Sequence, residues 1–453
     1  MNKIIAAVAV SLMLGGAISH ADNTAPKPND TVAKRDAEVI ALTAQVYPAF
    51  VMLGGGSGVC ISEDGYFLTN HHVFNEAAAP AKMAAKMAGN SRKFTADAVG
   101  ADPRGDIVLG KLRLEEGEKV PFVPLADSDT LEIGDLCLSI GNPFLLNGNG
   151  SEPTVTFGTI TAVHRFQGGY ADTIEIDTAI NPGNSGGPSF NINGEMIGIN
   201  GRNIASHGKR YNTGAGFAIP ANQIKNFMSA LKAQSGGAYV VRHGLVGGLT
   251  LDMSSQNGAV VRGVDSDSDA GDAGFEPGDI ITAVDDKPAF NSYRCIGITQ
   301  TKPRGSSFKF TVKRGDKVLD LTAVNSVPTE SGQFGTVPRP DDEARKGGGG
   351  MQSMFGDPFK LPPMKSSLGF KGEYNSDRKV GGYKITGIKS GSPLTDSGIE
   401  EGDILIKLNG RHIQYFVDLH DVLIATEPGT EVTITWLHNG EEQTATVKTA
   451  KAK

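Results

Sequence analysis

A nine-residue string that occurs twice limits this 453-residue chain more than any other feature. Ala273-Gly274-Phe275-Glu276-Pro277-Gly278-Asp279-Ile280-Ile281 returns as Ser397-Gly398-Ile399-Glu400-Glu401-Gly402-Asp403-Ile404-Leu405, displaced by 398 − 274 = 124 residues. An alternating strand precedes each copy, Gly258 to Val264 and Gly382 to Ile388. Self-similarity of this kind marks repeated structural units, so each copy is expected to sit in a small β-rich module, over 240–325 and 367–450. Two such modules leave roughly the first 230 residues to another domain, which excludes a pure repeat architecture. Between the modules, 326–366 carries Pro328, Pro338, Pro340, the run Gly347 to Gly350 and Pro362-Pro363. Such a stretch buries too little apolar area to offset chain entropy and reads as a flexible linker.

The first domain, 37–234, shows short β-type runs bounded by Gly, Asn, Asp and Pro: Gly58 to Ile61, Tyr66 to Thr69, Ile107 to Leu112, Leu136 to Ile140, Thr154 to Val163, Thr173 to Ile176 and Glu195 to Ile199. Glycine, 59 of 453 residues, is nearly twice as frequent as usual, which favours tight turns over long helices. The expected class is mainly β, with a barrel or sandwich here. Helical periodicity is read in Asp36 to Tyr47, in the Ala/Met/Lys-rich Glu76 to Met87, and in Ala221 to Gln234 after Pro220. With 43 basic and 50 acidic residues, the net charge of −7 gives no electrostatic reason to bind nucleic acid or an anionic bilayer, so membrane association is expected to be peripheral at most.

The N-terminus has the form of an export signal: Lys3, the apolar run Ile4 to Leu14, then Ser19-His20-Ala21. Residues 1–21 are expected to be removed after Ala21, leaving 22–36 as an N-terminal segment. In an oxidising compartment three cysteines do not make a disulfide scaffold. Cys60, Cys137 and Cys295 are expected to be buried as small apolar residues, with a Cys60–Cys137 bridge as the alternative.

Asn181-Pro182-Gly183-Asn184-Ser185-Gly186-Gly187-Pro188 is the segment richest in chemistry. A nucleophilic serine needs an exposed oxygen on a tight turn and nearby amides aimed at the developing oxyanion, and flanking glycines permit both. Ser185 is the candidate nucleophile, with the N–H groups of Gly183 and Ser185 as oxyanion donors. Gly183 to Gly187 also fits the nucleophile elbow of α/β-hydrolases, but that motif opens a helix and has its acid and histidine later in the chain, whereas Pro188 here leads to another strand. The base candidate lies in Thr69-Asn70-His71-His72-Val73 and the acid is Asp106, at the mouth of the apolar strand Ile107 to Leu112. The order His72, Asp106, Ser185 is that of the two-barrel proteases. Asp102 and Asp135, next to Pro103 and Gly134, are read as solvated turn carboxylates. His71 with Glu76 lacks the i, i+4 histidine pair of a zinc helix, so no metal is expected. Gly54 to Gly58, which no Lys-Ser/Thr follows, is read as a turn leading into a strand and not as a phosphate cradle.

These three motifs, together with Ile197-Gly198-Ile199-Asn200 and Gly216-Phe217-Ala218-Ile219-Pro220, resemble the HtrA/DegP family of exported, trypsin-like serine proteases, and both repeated modules resemble the PDZ domains those enzymes carry. The resemblance implies a two-barrel (chymotrypsin/trypsin-like) protease domain followed by two PDZ modules. It also implies a periplasmic serine endopeptidase acting on unfolded or damaged proteins, without a cofactor, built as a homotrimer and able to hold unfolded chains. The family places the catalytic histidine directly before valine, which is His72. The specificity-pocket floor falls at 185 − 6 = 179, giving Ala179, flanked by Ile180, with Asn200 nearby. With no acid there, cleavage after small or medium apolar residues is implied. C-terminal peptides would be held at Leu245-Val246-Gly247-Gly248 and at Leu368-Gly369-Phe370, with Gly248 standing where the first module should have an apolar residue. The interval Val51 to Ser57 has no space for the long regulatory loop of better-known members. A competing reading is a non-proteolytic peptide-binding protein with a latent protease domain.

Overall fold

The computed structural model describes residues 30–74, 82–145, 152–165, 170–203, 212–233, 240–328 and 364–452, apart from 376, 378 and 379. The export signal and residues 329–363 of the expected linker fall outside these. The chain divides into two compact units, Met1–Ala41 and Leu42–Lys453. The described part of the first is the start of α1 (Asp30–Val46), which continues into the second.

The second unit opens with two closed six-stranded barrels. The first contains β1 (Phe50–Leu53), β2 (Gly56–Cys60), β3 (Tyr66–Thr69), β4 (Lys82–Met87), β5 (Phe94–Asp102) and β6 (Ile107–Leu112), in the order β1-β2-β3-β6-β5-β4. The second contains β7 (Leu136–Gly141), β8 (Thr154–Ala162), β9 (Ile174–Ile176), β10 (Pro188–Phe190), β11 (Met196–Asn203) and β12 (Gly216–Pro220), in the order β10-β11-β12-β9-β8-β7. Closure removes the strand edges that invite aggregation. Gly110 shows how tightly the first barrel is filled, because a Cβ there would lie 2.3 Å from the Phe67 ring. After Pro220, α2 (Ala221–Lys232) lays Ile224, Phe227 and Leu231, all fully buried, onto a core shared with Leu68, Ile107, Leu138 and Ile199 of both barrels. Each such side chain contributes about 2 kcal/mol through apolar burial.

One helical expectation fails. Within Glu76 to Met87, residues 82–87 are strand β4, and 76–81 lie outside the described residues. Ala, Met and Lys favour helix, but Ala85 and Met87 alternate inward against Leu53 and Val51 of β1, and the barrel cannot close without this strand. The cysteines are free and buried, so there is no Cys60–Cys137 bridge, and burial pushes all three thiols up to about 12.

Both repeated modules form six-stranded sheets of the same order. The repeated string is their shared turn: Asp279 accepts from the Glu276 amide at 2.9 Å and Asp403 from the Glu400 amide at 2.8 Å, after Gly278 and Gly402 at φ 94° and 101°. Positive φ is what these two glycines supply. Val327–Pro328 pairs with Gly244–Leu245, and Ser366–Ser367 with Ala450–Lys451, so the described ends of the expected linker are paired strands belonging to the modules. The first module carries α3 (Asp269–Asp272) and α4 (Ser292–Thr299), the second α5 (Phe416–Ala425). The modules meet where Val327 packs with Tyr415 and Val417, and where Arg242 and Arg304 pair with the buried Asp421 and Asp418 of α5.

Candidate active site

β3 ends at Thr69, and the next residues form a single 3-10 turn, His71–Val73. This turn holds an acid by both side chain and main chain. His72 Nδ1 lies 2.8 Å from Asp106 Oδ2 and 3.0 Å from Oδ1, and the His72 amide donates to Oδ1 at 3.1 Å. Asn70 Nδ2 and the His71 amide donate to the Asp106 carbonyl at 2.9 and 3.2 Å. Asp106 is 3% exposed while the His72 side chain is 45% exposed, so the acid is inside and the ring faces out. With Nδ1 against a carboxylate, which can only accept, the ring hydrogen belongs on Nδ1, and Nε2 is the nitrogen able to take a proton.

Ser185 sits on the turn before β10. Its carbonyl accepts from the Ser57 amide at 2.9 Å and its hydroxyl donates to the Gly201 carbonyl at 3.2 Å. A Cβ on Gly186 (φ 83°) would lie 2.2 Å from Ser57 O and Thr69 Oγ1 and 3.0 Å from the Asn70 nitrogen. The serine turn is therefore pressed against the strand end that carries His72. Gly183 is under a similar constraint, since φ 98° and a Cβ position 2.1 Å from Asn142 O exclude any side chain. The Pro182 carbonyl accepts from the Phe144 amide at 2.5 Å. A trans peptide plane directs the Gly183 N–H to the opposite side. Among the described residues, the amides of Gly183 and Ser185 have no hydrogen-bond acceptor, so both can serve a developing oxyanion.

Two supports escaped the sequence reading. Tyr170 donates to Asp106 Oδ2 at 2.8 Å, in space kept open by Gly201, whose Cβ would lie 2.3 Å from that hydroxyl. Ser57 is fully buried and donates to the Gly183 carbonyl at 2.7 Å while accepting from the Asn142 amide at 3.2 Å. The lone signal for it was its place among the glycines Gly54 to Gly58. Asp102 corrects an expectation: it is fully buried and bonded to His243, whereas Asp135 is exposed as expected. Glu76 lies outside the described residues.

The three residues expected at the pocket lie at different depths. Ala179 is half-buried, and its carbonyl accepts from Asn184 Nδ2 at 2.9 Å. Ile180 belongs to the second barrel's core. Asn200 is fully buried and accepts from Ser189 Oγ at 2.7 Å, so its side chain completes an internal hydroxyl network and does not line a pocket.

The peptide-binding loops show a shift of register. Gly248 and Gly369 have φ 72° and 71°, their carbonyls accept from Asp265 N and Lys389 N, each at 3.0 Å, and Leu249 and Phe370 begin the next strands. Gly248 therefore stands opposite Gly369, Leu249 supplies the apolar position, and Gly247 replaces Leu368. The Gly247 amide donates to Asp269 Oδ2 at 3.0 Å. Leu245 is half-buried, and Val246 is buried in the module core.

Family models match three stretches of the chain. Residues 56–199 match the trypsin-like peptidase domain, and 246–324 and 366–449 each match the PDZ domain. "Periplasmic serine endoprotease DegP" of Escherichia coli K12 is 32% identical over 386 residues, covering 81% of this chain and 71% of the relative. "Probable periplasmic serine endoprotease DegP-like" of Chlamydia trachomatis is 30% identical over 382 residues, 81% of this chain and 69% of the relative. Among solved structures, "HtrA-type protease AlgW with tripeptide" is 32% identical with a TM-score of 0.48, covering 63% of this chain and 95% of that one.

Proposed function

The chain belongs to the HtrA/DegP family of serine endoproteases, and from that premise we propose that His72, Asp106 and Ser185 are its catalytic triad and that exported, unfolded or damaged proteins are its substrates. The observation that carries this reading is the His72 Nδ1–Asp106 Oδ2 bond of 2.8 Å beside a serine turn whose two amides have no acceptor among the described residues. Ser185 Oγ turns from the Gly201 carbonyl toward His72 and attacks the scissile carbonyl as Nε2 takes its proton. Asp106 holds the imidazolium, and the N–H groups of Gly183 and Ser185 receive the oxyanion. The proton then passes to the leaving amine, and water, deprotonated by the same nitrogen, releases the acyl group.

An uncharged floor at Ala179 supports cleavage after small or medium apolar residues. The relatives' names support a periplasmic location, and the small-x-small pattern Ser19-His20-Ala21 supports cleavage of the signal after Ala21. C-terminal peptides are recognised at the PDZ modules as added strands, and the assembly is a homotrimer built through the protease domains.

The test is incubation of the chain from Asp22 onward with reduced casein, beside Ser185→Ala. Cleavage by the first alone, after apolar residues, supports the assignment. If neither cleaves and both suppress aggregation of the casein, the triad assignment fails and a non-proteolytic binding role replaces it.

A further inference from the structure

Asp102 ends β5, four residues before Asp106. Its carboxylate and the imidazole of His243 are both fully buried, with Nε2 2.6 Å from Oδ2. A carboxylate accepts and does not donate, so the hydrogen between them is on Nε2. The other ring nitrogen has no partner among the described residues, and the ring lies against Phe227 of α2 with centroids 4.7 Å apart. The second oxygen of Asp102 accepts from the Gly105 amide at 2.8 Å. Gly105 cannot take a side chain, because a Cβ would lie 2.0 Å from Asp102 Oδ2. One buried carboxylate thus closes the turn 102–106 with one oxygen and takes His243 with the other. The next residue, Asp106, sits at φ 59°, a left-handed conformation that costs a non-glycine residue about 1 kcal/mol and persists where its surroundings fix it.

His243 does not belong to the barrels. It lies on the segment leading into the first PDZ module, whose Val241 amide donates to the Ala101 carbonyl of β5 at 2.6 Å and whose His243 bridges to Pro303. Arg104, inside the same turn, reaches Gln300 Oε1 just beyond α4 with Nε at 3.1 Å and Nη2 at 3.0 Å. The turn that carries Asp106 is therefore held at two points, Asp102 and Arg104, by residues of the module that follows the protease.

We propose that His243 is a positioning residue for the catalytic acid: its Nε2–H fixes Asp102, Asp102 fixes the Gly105 amide, and that bond sets the backbone from which Asp106 reaches His72. The first PDZ module is thereby part of the scaffold of the triad even when no peptide occupies it. Without His243, Asp102 would be a buried charge lacking a compensating donor, and the turn would reorganise to hydrate it. The inference rests on the reading of Asp106 as the catalytic acid.

Two full-length variants separate position from bulk. In His243→Gln the amide nitrogen falls near the place of Nε2, and in His243→Asn near that of Nδ1. The assay is steady-state cleavage of a short peptide p-nitroanilide with valine before the scissile bond. Expected is a fall in kcat of roughly 10- to 100-fold for the Asn variant with KM within about twofold, and retention within about threefold for the Gln variant. Asp102→Asn should match His243→Asn, and the double variant should be no worse than either, because the two residues act in series. Equal losses in the Gln and Asn variants, an unchanged kcat in the Asn variant, or additive losses in the double variant would overturn the proposal. Asp106→Ala is measured alongside: if it retains full kcat, the assignment of the acid is what fails, whereas its loss beside an unaffected His243→Asn removes the positioning role alone.

Discussion

Tyr170, in the second barrel's half of the domain, donates its hydroxyl hydrogen to Oδ2 of Asp106, which the first barrel supplies, at 2.8 Å. The same oxygen faces His72 Nδ1. A hydrogen bond to an ionised, buried carboxylate contributes about 1.5–3 kcal/mol, and here it also fixes which way the carboxylate points. Tyr170→Phe keeps the ring and removes that bond. The expected outcome is a kcat/KM lower by roughly 10- to 100-fold, carried by kcat with KM little changed. Steady-state kinetics on the p-nitroanilide substrate check this, and a loss confined to KM would remove Tyr170 from the support of the acid.

Gly183 offers a separate handle on the oxyanion. Because a Cβ there would meet Asn142 O at 2.1 Å, Gly183→Ala must displace the 182–183 peptide and with it the amide. Loss of one oxyanion donor costs about 10²- to 10³-fold in kcat, and that range is expected with substrate binding spared. A fluorophosphonate should label Ser185 more slowly by a similar factor, and unchanged labelling would show that this amide does not hold the oxyanion.

The docking of the second PDZ module is expected to depend on pH. Burial pushes the Asp421 carboxyl up, but the Arg242 guanidinium bonded to it, the His420 ring with Nδ1 3.7 Å away, and the charge of Arg411 outweigh this and bring it from an ordinary 3.8 to about 2. A folded-state value below the unfolded one means stability that is fully present above pH ~4 and lost as pH falls from about 4 to 2, amounting to roughly 2 kcal/mol. Amide exchange in α5 should accelerate across that window. Asp421→Asn should lack this pH dependence and be destabilised by about 3–5 kcal/mol at neutral pH, since it leaves Arg242 buried without its charge partner. A variant with the wild-type exchange profile would show that the pair does not hold the module.

The parts of the fold that were legible in the sequence are those whose cause is local. The Gly-Asp turns at 278–279 and 402–403 need positive φ and an accepting side chain, and both requirements are visible in the residue types. The candidate triad was legible because its three residues lie in short motifs whose order has chemical meaning. What stayed hidden depends on partners distant in sequence. Lys82 to Met87 became a strand because β1 and β5 flank it, and Asp102 became a buried charge because His243, 141 residues later, closes over it. Asn200 looked like a pocket wall from its place after Ile199, yet a strand's alternation turned its side chain inward onto Ser189. Tyr170 carried no signal, since its role exists only once the two barrels meet.

The last prediction concerns the unequal PDZ modules. A C-terminal peptide is held by the amides of the loop preceding the binding strand, and in the first module one of these, Gly247 N–H, already donates to the carboxylate of Asp269 at 3.0 Å. Ser326 Oγ donates to the same Asp269 oxygen, and a Cβ on Gly247 would touch both Asp269 and Val327 at 2.9 Å. An incoming terminal carboxylate would have to displace a resident one and approach its negative charge. In the second module the corresponding residue is Leu368, and the next amide, that of Gly369, donates to the neutral Ser367 hydroxyl at 3.0 Å. Titration of a fluorescent peptide with an apolar C-terminus should therefore report binding dominated by the second module, lost in a variant disrupting Gly369, such as Gly369→Val, in which a side chain would strike Ser392. Asp269→Ala should raise the first module's affinity by roughly tenfold, about 1.4 kcal/mol. If that variant binds no better, the internal carboxylate only ties the loop to Ser326, and the difference between the modules must come from elsewhere.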